Sequence, residues 1–168
     1  MTDRERRPRS NLRRLLWRYA GFILGAFTVA ATFSAFHPDT LIALDSLLIS
    51  ETHFPASMWW ANIFLNAFVV GGVLGTVLFF GPYGFLGGLV GSCPLRHGLA
   101  ICLVTSVTVF TVALAFHDLS NYASLFGVAY IGVSFAGMFT GLALAFLLGF
   151  SLRRLAFLFV YPCLRSSP

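Results

Sequence analysis

Asn62 and Asn66, one helical turn apart in an otherwise apolar run, are the most polar pair that this chain would bury. Such a pair can recognise a substrate or a lipid headgroup. It can also hydrogen-bond between helices, which contributes about 0.6–2 kcal/mol in a bilayer. The second use is the commoner and is favoured. Cys102, Thr105, Thr108 and Thr111 fall on one broad helical face. They could line a hydroxylated pore, but hydroxyls in apolar helices more often bond back to the carbonyl one turn earlier. A third set is His37, His53, His117 and Asp118, with Asp39 and Glu51 nearby in sequence. Imidazole mixed with carboxylate suits a divalent metal, and two histidines can ligate a porphyrin-type pigment. Their spacing enforces neither, and the same residues serve as helix caps and solvated turns, so no cofactor is specified. Ser92, Cys93 and His97 offer a nucleophile and a base, but Pro94 and the glycines around them mark a turn. No third group is in place to orient the base. There is no GxSxG, no HExxH and no aspartate pair within an apolar segment. The chain is expected not to be an enzyme.

What must position these residues follows from composition. The 168 residues are 58% hydrophobic and 10% charged, more apolar surface than a water-soluble domain of this length could hide. Lipid is therefore the expected solvent. The reading is an all-α membrane protein with four transmembrane helices, at Trp17–Phe36, Met58–Phe80, Leu99–Phe116 and Leu125–Phe150. Residues 1–16 form an arginine-rich arm, 17–150 a single four-helix domain and 151–168 a tail. The first span reads as an uncleaved anchor rather than a signal peptide, being long for one. Between spans one and two, Thr40–Ser50 can form a short amphipathic helix capped by Asp39.

The second apolar segment, residues 58–90, is too long for one ordinary crossing of about 20 residues. Its Gly81-Pro82 pair is expected to break the helix, since proline lacks an N–H and clashes with the preceding turn. Residues 85–91 are then left as a re-entrant turn or an interfacial cap. Gly71, Gly75, Gly84 and Gly88 in this segment are expected to let backbones approach closely, as are Ser134, Gly137 and Gly141 in the fourth span.

Charge sets the orientation. The eleven arginines, with no lysine, gather at the start of the first span, in the second loop and after the last span, while Asp39, Asp45, Glu51 and Asp118 fall in the other loops. The positive-inside rule then places both termini in the cytoplasm of a bacterial inner membrane or its equivalent. Basic residues that flank spans set topology and meet anionic lipid, so nucleic acid is not an expected partner. The three cysteines form no CxxC and suggest neither a metal finger nor a disulfide framework. No charged residue lies in the body of a span, which weighs against a proton- or ion-coupled carrier.

The run from Asn62-Ile-Phe-Leu-Asn66 through the glycines to Gly91, followed by His97-Gly98 opening the next helix, resembles the stage II sporulation protein M family over residues 62–112. Two features depart from that family. Leu99-Ala100-Ile101-Cys102 stands where its members usually carry a glutamate, and Gly81-Pro82-Tyr83-Gly84 replaces the usual asparagine near the turn. No role of that glutamate carries over. The resemblance implies a membrane scaffold working with partner proteins. The expected function is accordingly a non-catalytic scaffold or accessory subunit of a larger membrane complex. The alternatives are a small channel or transporter for a neutral solute or lipid, and a metal- or pigment-binding membrane subunit.

Overall fold

The computed structural model describes residues 6–35, 59–115 and 125–165. Among them every residue outside 90–94 is helical, and none lies in a strand. The elements are α1 (Arg6–Ala35), α2 (Trp59–Leu65), a π-helical stretch (Asn66–Leu74), α3 (Gly75–Leu89), α4 (Leu95–Ala115) and α5 (Leu125–Arg165). The α2, π and α3 segments follow one another without a gap and make one rod. Four stretches are long and apolar enough to cross a membrane: Asn11–Thr32, Trp60–Leu89, Leu95–Val112 and Gly127–Leu158.

The expected break at Gly81-Pro82 is absent. Helix α3 runs through Pro82 and ends at Leu89. Proline there removes a single hydrogen bond, the one its N–H would have made to the Leu78 carbonyl. Ending the helix would instead strip several backbone groups of partners at once, which costs more than one missing bond. The real stop lies eight residues later. The Val90 amide donates to the Leu86 carbonyl at 2.9 Å, and Gly91 takes φ +86°, the left-handed conformation that favours glycine. Residues 85–89 thus finish the helix, and only 90–94 turn. The irregularity that the length demanded sits earlier, in the nine-residue π stretch.

Helix α1 begins at Arg6, so the basic arm is helical from there onward, and α5 continues through the expected tail to Arg165. The proposed helix at Thr40–Ser50 lies outside the described residues.

Helix α5 is the hub. The rod packs along it, α1 packs against α3, and α4 is held chiefly by α5. Between rod and α5 the helices touch backbone to backbone. A methyl placed on Gly72 would come within 2.7 Å of the Gly137 Cα, one on Gly141 within 2.7 Å of the Val73 carbonyl oxygen, and one on Gly84 within 2.8 Å of that of Leu142. Added to Gly88 it would overlap the Phe146 carbonyl, and added to Gly149 the Phe85 carbonyl. The row on the rod is therefore Gly72, Thr76, Gly84 and Gly88, all buried, whereas Gly75 is half-buried and Gly71 lies in the π stretch beside Gly72. Every fourth residue drifts one way around an α-helix, which has 3.6 residues per turn. It drifts the opposite way around the wider π turns. The π stretch thus keeps the top of this row over α5.

Helix α1 uses the same device on the other side of α3. A methyl on Gly25 would come within 2.5 Å of the Tyr83 Cα, and one on Gly21 within 2.6 Å of the Val90 carbonyl oxygen.

Candidate functional site

The densest chemistry among the described residues lies where the 90–94 turn meets α1 and the far half of α5. An aromatic column fills the space that the glycines leave. Phe146, fully buried, stacks on Phe22 (ring centroids 5.8 Å apart, 14° between planes) and lies 6.0 Å from Phe150; Phe22 in turn meets Tyr83 at 5.1 Å. Gly87 and Gly98 have no side chains because rings occupy those positions, Phe22 against the first and Phe146 against the second. Cys93, Cys102 and Leu142 complete the buried cluster.

Arg153 closes this column. Its Nη1 donates to the Gly91 carbonyl at 2.9 Å and its Nη2 to the Cys93 carbonyl at 3.1 Å. The turn's orphan carbonyls, which follow from the end of α3, are thereby paired with a planar fork suited to two acceptors. The same guanidinium lies 4.9 Å from the Phe150 ring centroid, and Arg154 lies 4.8 Å from that ring, within cation–π range. Position Gly91 admits no side chain, since a methyl there would come within 2.5 Å of the Trp17 carbonyl oxygen of α1. Arg153 and Gly91 together tie three helices at one end. Arg153→Ala is expected to lower stability by about 1–3 kcal/mol, because it leaves the Gly91 and Cys93 carbonyls without their donor. Arg153→Lys should recover only part, having no fork. Thermal unfolding in detergent measures both, and an unchanged Arg153→Ala midpoint would remove the clamp.

Within the same turn Cys93 is 1% exposed, and its thiol points to the Pro94 carbonyl at 3.6 Å. Burial pushes its pKa up, outweighing the opposite pull of Arg153 and Arg18. A raised thiol pKa is a stability that holds below the ordinary value of 9.0 and is lost as pH climbs past it, because the unfolded chain then sheds the proton more readily. With Cys93 as the sole cysteine, maleimide labelling should stay slow at pH 8 and accelerate only above the usual thiol range. Labelling at the rate of a free thiol at pH 8 would contradict the burial.

Ser92 and His97 are exposed while Cys93 is buried, so these three do not assemble a nucleophile with its base. On α4 the polar face divides. Thr108 and Thr111 donate to the Val104 and Val107 carbonyls one turn back, at 2.9 and 2.7 Å, whereas Thr105 donates to the Tyr83 hydroxyl at 3.2 Å. Asn62 and Asn66 are half-buried, and Asn66 opens the π stretch. Gly137 and Gly141 lie in the seam described above; Ser134 is half-buried one turn before them. His37, His53, His117 and Asp118 all fall outside the described residues. Among the described residues no three His, Cys, Asp or Glu side chains come together in a way that could hold a metal.

Three features are not legible in the sequence: the Arg153 clamp, the Phe22–Phe146 stack, and Gly98 as the seat of a ring. Arg153-Arg154 directly after an apolar span is the one signal the sequence offers, and it reads equally well as a topology marker. Comparison of the chain with protein-family models, with curated proteins and with solved structures finds no match.

Proposed function

We propose that the chain is a non-catalytic integral membrane scaffold, an accessory subunit of a larger membrane assembly, with both termini cytoplasmic. The observation that supports this most is the close packing among the described helices. Rod and α5 meet through glycine backbones, and the small cavity between α3, α4 and α5, beside Thr76, Thr105 and Ser106, measures about 10 Å³. That is room for about one water molecule at most, far short of a solute path. The hydroxyls that favour the channel alternative are turned to local uses, with two bonded to their own helix and one to Tyr83. Meanwhile α4 is gripped mainly from one side and presents Leu103, Val104, Val107 and Val112 outward, an apolar face that suits lipid or a neighbouring subunit. The resemblance over residues 62–112 points to the same role.

Extraction in mild detergent, native electrophoresis and mass spectrometry of the band test the reading. A heteromeric band well above 18.4 kDa is expected. A homogeneous homo-oligomer that makes liposomes permeable to a neutral solute would overturn it in favour of the channel.

A further inference from the structure

Helix α1 carries two unlike faces. One holds Gly21 and Gly25 and is pressed onto α3. Beside it, about a third of a turn round the helix at 100° per residue, the outward side of α1 forms a shallow, open groove of about 680 Å³ between Arg13, Leu16, Trp17, Ala20, Ile23, Leu24 and Phe27. The floor is Ala20; the walls are long apolar side chains, with Trp17 63% and Phe27 71% exposed. A guanidinium stands at one end only. From Arg13 to Phe27 the helix rises about 21 Å at 1.5 Å per residue. That matches one leaflet, about 15 Å of hydrocarbon plus a headgroup layer of about 6 Å. Trp17 sits one turn inward from Arg13, at the depth where amphipathic rings settle.

We propose that this groove binds one anionic phospholipid, its phosphate on Arg13 and an acyl chain along Ala20, Leu24 and Phe27. A second copy of the chain is a poorer occupant. Two copies inserted in the same direction and related by a two-fold axis along the membrane normal would set Arg13 against Arg13. A lipid phosphate complements the Arg13 guanidinium without that repulsion, and its chain has the matching length. This site rests on the membrane-spanning reading proposed above, though not on the scaffold role.

Trp17 reports on the groove. In a Trp59→Phe/Trp60→Phe background it is the sole tryptophan, and phospholipids brominated on their acyl chains quench it on contact. In phosphatidylcholine vesicles, brominated phosphatidylglycerol at low mole fraction should associate about fivefold more strongly than brominated phosphatidylcholine, the preference expected of one guanidinium at an anionic headgroup. Arg13→Gln should abolish the preference and Arg13→Lys should keep it. Ala20→Leu, filling the floor, should weaken quenching by both lipids. Equal quenching of the parent by the two lipids would overturn the proposal. So would protection of Trp17 from both lipids together with disulfide crosslinking of two copies through Ala20→Cys, the signature of a protein in the groove.

Discussion

Gly88→Leu is expected to destabilise the bundle by about 3 kcal/mol, at the upper end of what overpacking does to a close-packed interior. The first carbon alone would overlap the Phe146 carbonyl and come within 2.6 Å of the Phe150 amide nitrogen. Both belong to the backbone of α5, which cannot rotate aside as a side chain would. Relief therefore requires the rod and α5 to separate, and that loosens the neighbouring contacts at Gly84 and Gly149 as well. Gly132→Leu is the control, since a methyl there meets nothing within 4 Å. Its cost should stay within a few tenths of a kcal/mol. Thermal unfolding of the two variants in one detergent separates the effect of bulk from that of losing a glycine. If Gly88→Leu melts where Gly132→Leu does, the helices are not in backbone contact.

The abundance of glycine in apolar segments is itself a sign of close packing, but it does not say which glycines lie on the contact face. Gly71-xxx-Gly75 and Gly72-xxx-Thr76 have the same spacing, and the structure places Gly72 and Thr76 buried, with Gly72 against Gly137 of α5. Choosing between them needs the helix phase, and the phase depends on a π stretch that no residue at 66–74 marks. Pro82 misleads for a related reason. Rules learned in water charge the whole helix with the proline's defect, because there water stands ready to take over the freed backbone groups. Among apolar neighbours the lesser loss is one missing bond, and the helix continues through Pro82. The four long apolar helices are legible because length and composition alone decide them. The Arg153 clamp is not, because it joins residues about sixty positions apart through carbonyls that exist in every sequence. The aromatic column is hidden too. With 19 phenylalanines in the chain, nothing distinguishes the ring that is fully buried from those that face outward.

Phe146→Ala should expose that distinction. Phe146 is 0% exposed and has ring neighbours on two sides, Phe22 and Phe150, with Gly98 beneath it. In a water-soluble protein the loss would run to about 3–5 kcal/mol, combining hydrophobic transfer with the cavity left behind. In a bilayer the transfer part largely vanishes, since lipid is as apolar as the core. The cavity part stays. Roughly 100 Å³ of vacated space at about 24 cal/mol per Å³ leaves an expected loss of about 2–3 kcal/mol. Leu158→Ala, at a residue 69% exposed on the same helix, removes apolar bulk without opening a cavity and should be nearly neutral. The seat offers a sharper check. Gly98→Leu alone should destabilise, because its first carbon would collide with the Phe146 ring. Combined with Phe146→Ala, the leucine can enter the space the ring has left. The double variant should then be more stable than the sum of the single losses predicts, by about 1 kcal/mol or more, as residues sharing one cavity do. Unfolding midpoints for the four proteins of this cycle measure the coupling. Strictly additive losses would mean that Gly98 does not receive Phe146 and that α4 is held to α5 by other contacts.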